Sequence, residues 1–269
     1  MALTIAGTDS GGGAGIAADL KTFEAHGVWG TCAVVAVTAQ NTLGVQAMAT
    51  LPVDLVVAQI ASVAEDIGVD AAKTGMLASA ELVAAVAAAL TRIGVTRLVV
   101  DPVLISKHGD SLLADDAVAA LREHLIPLAA VVTPNLPEAA LLVGFEVADR
   151  VGMAAAARAL VDMGAEAALV KGGHLDGDTS PDCLVAPTLG VEPQWLEGRR
   201  LSGRHTHGTG CTLSAAITAL LARGVGAVDA CVAAKGFCAG AIAAGIDLGS
   251  GVGPVDPGWA AREAIPPIW

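Results

Sequence analysis

A glycine-rich segment near the carboxyl end of the chain holds the residue types best suited to chemistry. Residues 206–212 read Thr-His-Gly-Thr-Gly-Cys-Thr, and apolar residues at helical spacing follow them, namely Leu213, Ile217, Leu220 and Leu221. This pattern predicts a loop that leads into the start of a helix. Backbone N–H groups are free at a helix start, the helix dipole is positive there, and glycine lets an anion approach closely. The predicted ligand is a phosphate.

Cys211 falls in the first turn of this predicted helix, where a thiolate is favoured, so we expect its pKa to fall toward neutrality. A base beside a phosphate-binding loop suggests phosphoryl transfer. The plainer interpretation is that Gly208 and Gly210 only supply turn geometry and that Cys211 is a small buried filler. A second glycine-rich turn at residues 7–15, directly after an apolar run, favours the functional interpretation.

Composition excludes several classes of protein. With 15 basic and 27 acidic residues the formal net charge is −12, and no cluster of Lys and Arg offers a nucleic-acid surface. Although 54% of the residues are hydrophobic, no apolar run approaches the roughly 18 residues of a membrane span. No signal peptide is visible, so we expect a cytoplasmic protein. The five cysteines contain no Cys-x-x-Cys pair, which argues against a disulfide framework and a zinc site.

Short apolar runs alternate with helical patterns along most of the chain, which is typical of parallel strands joined by crossover helices. We expect one α/β domain over residues 1–269, with helices on both faces of the sheet. The predicted strands are 2–6, 32–38, 71–74, 97–100, 130–133 and 167–171. The predicted helices are 13–26, 52–67, 79–93, 115–125, 152–163, 209–222 and 228–246. Residues 44–51 and 183–201 break the alternation and predict antiparallel extensions or a flap.

Polar residues follow the predicted strands at the points where the strands end. In open parallel sheets, ligands bind beyond the carboxyl ends of the strands, so one cleft could hold all of these side chains. They are Asp9, Gln40, Asn41, Asp101, Asn135, Glu138 and the segments 73–76 and 171–174.

Three common motifs are absent from the sequence. Nothing matches the phosphate-binding Gly-x-x-x-x-Gly-Lys-[Ser/Thr] loop. The first glycine loop fails Gly-x-Gly-x-x-Gly because Ile16 stands at the last glycine position counted from Gly11. Gly-x-Ser-x-Gly is missing too, so an α/β-hydrolase has no support.

Eight segments, taken together and in this order, closely resemble the hydroxymethylpyrimidine/phosphomethylpyrimidine kinase family nearly end to end. They are residues 7–9, 13–16, 19–22, 40–42, 73–76, 133–138, 171–174 and 206–212. The resemblance implies a ribokinase-like fold, with a mostly parallel central sheet flanked by helices and a small β extension or flap. It also implies two successive phosphorylations of the thiamin pyrimidine precursor with ATP and Mg²⁺, and a homodimer. Departures are few: Ala17 replaces an expected Gln, and His205 replaces a small polar residue.

Phosphoryl transfer gives roles to a first group of residues. We hypothesise that Cys211 orients or deprotonates the substrate hydroxymethyl group while backbone amides stabilise the transferring phosphoryl group and Lys171 neutralises its charge. These amides belong to Gly208, Thr209, Gly210 and Cys211. The resemblance implies that Asp101 and Glu138 serve magnesium, and that Asn135, Lys171, Thr209 and Lys235 contact the nucleotide. The alternative for Asp101 is an aspartate that only forms a turn, and the alternative for Glu138 is a helix-capping role. Lys171 and Lys235 could instead be solvated surface lysines.

Recognition of the pyrimidine needs hydrogen-bond donors and acceptors together with apolar walls. In family terms Gln40 reads the heterocycle, Gly7 allows close backbone approach and Met76 packs on the ring. We expect Asp19 to face the same pocket, although an early-helix carboxylate favoured by the dipole is the alternative. For Met76 the alternative is ordinary core packing.

Three other functions compete with this interpretation. Pyridoxal kinase is the nearest, because a similar scaffold accepts another heterocycle with a hydroxymethyl group. A sugar kinase of the superfamily is less favoured because Cys211 stands where those enzymes carry Asp. A non-catalytic pyrimidine sensor is a different class, and the presence of Asp101, Glu138, Lys171 and Cys211 argues against it.

Overall fold

The computed structural model describes residues 1–104, 115–190, 192–201 and 203–262. Its centre is an eight-stranded sheet in the order β10-β9-β8-β7-β6-β5-β1-β2. The strands are β1 (Ala2–Ala6), β2 (Gly30–Val34), β5 (Ala71–Thr74), β6 (Leu98–Val100), β7 (Val131–Val132), β8 (Ala168–Val170), β9 (Asp182–Val185) and β10 (Gln194–Leu196). Six of them run parallel, and β9 and β10 add an antiparallel edge.

Nine α-helices are described along the chain: α1 (Gly15–Ala25), α2 (Val53–Asp66), α3 (Ala80–Arg92), α4 (Asp115–Ala120), α5 (Leu136–Val143), α6 (Arg150–Asp162), α7 (Thr209–Ala222), α8 (Ala227–Ala243) and α9 (Trp259–Arg262). The helix predicted at 115–125 begins as α4 and continues as a π-helical turn, Leu121–Leu125. The sequence pattern predicts no extent for α5, because this short helix directly follows the polar strand end at Asn135. None of the helices in the described residues is long and apolar enough to cross a lipid bilayer.

The sheet is buried on both faces, as its apolar strands predict. On one face Leu98 and Val100 pack in a core with residues of α2, α3 and α6. Val99, which points the opposite way, packs with residues of α7 and α8. Alternation of side chains along a strand therefore divides the apolar residues between two helical layers. The predicted fold class is confirmed.

The second predicted strand, 32–38, is wrong in one respect, because it contains two strands that belong to different sheets. At Val35 the backbone N–H donates to Ala6 in the central sheet, and the carbonyl accepts from Leu51 after the ribbon. The chain then leaves the central sheet and forms an antiparallel ribbon of β3 (Ala36–Asn41) and β4 (Gly44–Thr50). This ribbon is the small β extension that the sequence predicts. In the other region, 183–201, the described residues realise the first of the two predicted alternatives, an antiparallel extension, because β9 and β10 join the edge of the central sheet.

The remaining two strands, β11 (His205–His207) and β12 (Gly253–Pro254), form a short parallel pair. This pair places the segment just before α7 in a fixed position. The first turn of α7 is thereby held at the carboxyl edge of the central sheet, where the strand-end polar residues also lie.

Candidate active site

Two glycine-rich loops meet at the carboxyl edge of the sheet. Gly208 precedes α7 with a φ of 80°, a conformation that favours glycine. A Cβ atom on Gly208 would lie 1.8 Å from the carbonyl oxygen of Gly13 in the first loop. No larger residue fits this contact, so both loops depend on it. The prediction of a loop that leads into a helix start is confirmed.

The first loop is held by Asp9, whose side chain is 2% exposed. Its carboxylate accepts hydrogen bonds from the backbone N–H groups of Gly11, Gly13 and Ala14 at 2.8–3.0 Å. His207, the last residue of β11, donates from Nε2 to Asp9 Oδ2 at 2.8 Å. The two loops are therefore joined by a charged hydrogen bond as well as by backbone contact. The sequence analysis placed Asp9 at this edge but gave His207 no role.

Lys171 and Asp101 lie beside the first turn of α7. Lys171 Nζ is 3.2 Å from Asp101 Oδ1 and 4.0 Å from Glu138 Oε2. A Cβ atom on Gly210 would be 3.3 Å from Lys171 Nζ and 3.8 Å from Asp101 Oδ2. The structure therefore brings together the predicted anion loop, the predicted phosphate-neutralising lysine and both predicted carboxylates.

Burial and mutual electrostatic interaction shift the pKa values of Lys171, Asp101 and Glu138. Burial alone would lower the pKa of Lys171, but the carboxylates of Asp101 and Glu138 outweigh it and raise the pKa. Burial would raise the pKa of Asp101, and Lys171 and Lys73 reverse this shift. Glu138 shows the opposite outcome, since burial raises its pKa to about 7 despite the nearby Lys171. Asp101 is thus held as a carboxylate, whereas burial makes Glu138 harder to ionise than an ordinary glutamate.

Two hydroxyl groups that the sequence analysis missed help to hold Asp101. Ser214 Oγ is 3.1 Å from Asp101 Oδ2, and Thr133 Oγ1 is 3.3 Å from Oδ1. Ser214 lies one helical turn after Gly210 on α7, so it faces the sheet edge together with the anion loop. That i, i+4 spacing was the available signal, but a serine in an apolar helix carries little information alone.

Asn135 and Glu138 form a capping box at the start of α5. The N–H of Glu138 donates to Asn135 Oδ1 at 2.9 Å, and the N–H of Asn135 donates to Glu138 Oε2 at 2.8 Å. The helix-capping alternative for Glu138 is therefore realised structurally. It does not remove Glu138 from the site, because Lys171 lies 4.0 Å from the same carboxylate oxygen. Among the described residues, no group of three or more His, Cys, Asp or Glu side chains forms an all-protein metal cluster.

Cys211 lies in the first turn of α7, half-buried, as predicted, but its acidity differs from the expectation. Burial is the largest influence and raises the pKa of the thiol to about 11, although Lys73 opposes this shift. Asp19 and Asp101 raise the pKa further, while the N–H of Gly15, which donates to the sulfur, lowers it. The predicted fall toward neutrality is therefore corrected. Favourable amides at two helix starts do not compensate for desolvation and two nearby carboxylates.

The expectation that Asp19 faces the substrate pocket is also corrected. Its side chain is fully buried, and its two carboxylate oxygens bind Lys73 Nζ at 2.7 Å and Thr4 Oγ1 at 2.6 Å. Lys73 is fully buried as well. Burial raises the pKa of Asp19, whereas the carboxylate outweighs burial at Lys73 and raises the pKa of the lysine. The pair is a buried support behind Cys211, which it influences electrostatically.

The other predicted substrate residues lie around the first loop and the ribbon. Met76 is half-buried, and its Cε would be 2.7 Å from a Cβ atom on Gly7, so these two residues are in contact. Gln40, at the end of β3, has its amide 3.5 Å from the ring of His207. Gln40 is thereby next to the segment that leads into the anion loop. Their roles toward a substrate stay predictions.

Lys235 lies farther along the same edge. Its Nζ donates to Asp182 Oδ2 and to the Ser180 carbonyl, both at 2.7 Å. Asp182 in turn accepts from the N–H of Gly172, the residue after Lys171. Lys235 is therefore tied to the turn that follows β8 rather than exposed to solvent, and its contact with a nucleotide stays a prediction.

Comparisons with known proteins agree with this geometry. The family model described as phosphomethylpyrimidine kinase matches residues 9–256. A hydroxymethylpyrimidine/phosphomethylpyrimidine kinase of Streptomyces coelicolor is 53% identical over 263 residues, covering 98% of this chain and 96% of the relative. The relative of the same name in Rhizobium meliloti is 51% identical over 258 residues, covering 95% of this chain and 96% of its own.

Two solved structures are similar over most of the chain. The ADP complex of Bacillus subtilis pyridoxal kinase has a TM-score of 0.89 and 38% identity, covering 97% of this chain and 98% of its own. A phosphomethylpyrimidine kinase from Clostridium difficile has a TM-score of 0.79 and 41% identity, with coverages of 90% and 98%. The resemblance found in the sequence is confirmed. The chain belongs to the phosphomethylpyrimidine kinase family.

Proposed function

We propose that this chain transfers the γ-phosphoryl group of ATP to 4-amino-5-hydroxymethyl-2-methylpyrimidine and then phosphorylates the monophosphate to the diphosphate, in thiamin biosynthesis. One observation carries this proposal: the first turn of α7 lies beside both Lys171 and Asp101 at the edge of the sheet. Family membership supports the reaction, and the relatives with the highest identity cited above carry the same activity in their names. Solved relatives described as complexes with an ATP analogue support ATP as co-substrate.

The main-chain amides from Gly208 to Cys211 receive the transferring phosphoryl group in this proposal. In a loose transition state the charge spreads over three equatorial oxygens, which suits several fixed N–H donors at a helix start. Lys171 adds a point charge next to them, and its position is fixed by Asp101. A chain with a net charge of −12 can hold phosphates in this way because the positive groups are local.

Cys211 orients the substrate hydroxymethyl group. Because burial raises the pKa of its thiol to about 11, Cys211 stays protonated near neutral pH. Because little proton transfer is needed before the phosphoryl group arrives in a loose transition state, positioning by the thiol is the larger contribution.

Asp101 and Glu138 fit the requirements of Mg²⁺. This ion usually takes one or two protein carboxylates and completes its shell with substrate phosphates and water. Asp101 Oδ1 and Glu138 Oε2 lie 3.2 and 4.0 Å from Lys171 Nζ, so the two carboxylates are near each other at the edge of the sheet. Asp101 and Glu138 would hold such an ion, which would neutralise phosphate charge, and Lys171 offsets the repulsion between the two carboxylates.

Pyridoxal phosphorylation is the second candidate function. Solved relatives described as pyridoxal kinases, including a Staphylococcus aureus enzyme in complex with pyridoxal, have TM-scores of 0.89 and 36–38% identity. The overall scaffold therefore does not separate the two substrates. Gln40, which offers both a donor and an acceptor, favours the aminopyrimidine.

The β3–β4 ribbon supports a homodimer. Val37, Leu43, Val45 and Met48 are each between 46% and 62% exposed on this ribbon. Residues 27–53 contain no Asp, Glu, Lys or Arg. Two copies of an acidic chain can meet at such a surface without charge repulsion between residues of the ribbon, and a two-stranded ribbon gains stability from being covered.

The five cysteines are thiols, which supports a cytoplasmic enzyme.

The function is tested by following products over time with Mg²⁺-ATP and the hydroxymethylpyrimidine. We expect the monophosphate to appear first and the diphosphate to follow. Pyridoxal, assayed side by side, should give a lower kcat/KM. Pocket binding without ATP consumption would indicate a sensor instead, and a higher kcat/KM for pyridoxal would indicate the second candidate.

Replacement of Cys211 separates positioning from base catalysis. Cys211→Ala should lower kcat by about 10²-fold because the hydroxymethyl group is no longer oriented. Cys211→Ser keeps a group of similar size that can orient a hydroxyl, so its kcat should stay within about tenfold of the unmodified enzyme. Steady-state kinetics at saturating ATP measures both values. A serine variant as slow as the alanine variant would contradict positioning and show that the thiolate accepts the proton.

Glu138→Gln should raise the Mg²⁺ concentration needed for half-maximal activity by about tenfold or more, because one anionic ligand is lost. Glutamine at this position can still accept from the N–H of Asn135, so the capping box and the fold are preserved. Activity titrated with free Mg²⁺ at fixed ATP measures the change, and circular dichroism checks the fold. An unchanged Mg²⁺ requirement in a folded variant would remove Glu138 from the metal site.

A charged substitution on the ribbon tests whether its exposed apolar surface forms the dimer interface. Met48→Glu should convert dimers into monomers at micromolar concentration, because it places an unpaired carboxylate in an apolar interface. Sedimentation velocity measures the assembly, with Leu141→Glu on the exposed surface of α5 as a matched control. Equal dimer fractions in the two variants would place the interface elsewhere.

A further inference from the structure

A line of polar side chains runs along one wall of the site, from Asp9 through His207 to Gln40. Asp9 is almost fully buried, and burial alone would raise its pKa, but hydrogen bonds from His207 and from the loop amides lower it. Asp9 is therefore a carboxylate, which only accepts hydrogen bonds. His207 Nε2 lies 2.8 Å from Asp9 Oδ2, so this ring nitrogen carries the proton.

The same nitrogen also faces the side-chain amide of Gln40. Gln40 Nε2 lies 3.5 Å from His207 Nε2, so two N–H donors would face each other in this orientation. On its other side, Gln40 Oε1 lies 3.4 Å from Thr38 Oγ1. The single hydroxyl proton of Thr38 already goes to the carbonyl of Thr8 at 2.8 Å, so Thr38 presents a lone pair to Gln40. Two acceptors would face each other there.

A half-turn of the Gln40 amide resolves both mismatches. Its carbonyl oxygen then faces the polarised Nε2–H group of His207, whose proton stays directed at Asp9, in place of a second N–H donor. Its NH₂ group donates to Thr38. The nitrogen and oxygen of an amide occupy nearly the same volume, so the half-turn changes the hydrogen bonds and leaves the packing as it is. Two neighbours on different elements, β11 and β3, therefore require the same orientation.

We propose that His207, held by Asp9, and Thr38 together fix the orientation of the Gln40 amide, so that the site selects a 4-aminopyrimidine over the corresponding 4-oxopyrimidine. This inference rests on the proposed function and adds His207 and Thr38 as positioning residues for substrate specificity. Both act through Gln40.

The chemistry of the two rings explains the selection. The 4-aminopyrimidine presents an exocyclic N–H donor beside a ring nitrogen acceptor. The 4-oxo compound, in its usual tautomer, presents a carbonyl acceptor beside a ring N–H donor. In an amide of fixed orientation, the free N–H and the free carbonyl lone pair have fixed positions. They match the acceptor and donor of the 4-aminopyrimidine but not those of the 4-oxo compound. An amide that rotates freely matches both rings.

The test compares kcat/KM for 4-amino-5-hydroxymethyl-2-methylpyrimidine with kcat/KM for its 4-oxo analogue, in four proteins. The unmodified enzyme should prefer the amino compound strongly. His207→Leu and Thr38→Val each remove one constraint on the amide, so each should reduce the amino-to-oxo ratio by about tenfold or more. His207→Gln keeps an N–H donor at about the position of the imidazole Nε2 and should restore much of the ratio.

The ratio is insensitive to general damage, because a disturbed anion loop lowers kcat/KM for both compounds alike. Thr38→Val gives an independent result on β3 if His207→Leu disturbs the loop before α7. Amino-to-oxo ratios that stay unchanged in both variants of an active enzyme would overturn this inference alone. An unmodified enzyme that does not phosphorylate the aminopyrimidine would overturn the proposed function, and this inference with it.

Discussion

The site depends on the close contact between two backbone loops at one edge of the sheet. Gly208 and Gly13 approach so closely that no side chain fits between them, and the positive φ of Gly208 turns the chain into α7. This contact sets where the first amides of α7 lie relative to the loop after β1. Lys171 and Asp101 reach the same place from the ends of β8 and β6, the two strands on either side of β7. The Gly208–Gly13 contact thus positions the two glycine-rich loops, and the sheet positions the charged pair beside them.

Two buried ion pairs lie at and below the candidate site. Asp101 is paired with Lys171 at the surface of the site, and Asp19 is paired with Lys73 beneath it. Each pair contains one lysine, and the chain has only 15 basic residues in all. The first pair lies beside the first turn of α7, whereas the second is fully buried. Removing one partner of a buried pair leaves an uncompensated charge in the protein interior. Asp19 and Lys73 are therefore needed together beneath the site.

The sequence predicts the elements well where local pattern decides. The strands at 2–6 and 71–74 and the helix at 209–222 are found with the predicted bounds, because a short apolar run and a glycine loop before an apolar spacing are local signals. The break at Val35 was not predictable, since tertiary hydrogen bonds to Ala6 and Leu51 interrupt a continuous β-branched run. The burial of Asp19 and the high pKa of Cys211 were missed for a similar reason, because both arise from residues that are distant in sequence. Asp19 is buried against Lys73, and tertiary packing both desolvates the thiol and brings Asp19 and Asp101 near it.

A crystal structure of the complex with a non-hydrolysable ATP analogue, Mg²⁺ and the hydroxymethylpyrimidine tests the central claim most directly. The account predicts that the terminal phosphate lies within hydrogen-bonding distance of the backbone N–H groups from Gly208 to Cys211 and of Lys171 Nζ. The substrate hydroxymethyl oxygen should lie between that phosphate and the sulfur of Cys211. A terminal phosphate bound away from the first turn of α7, with those amides facing only solvent or other side chains, would contradict it.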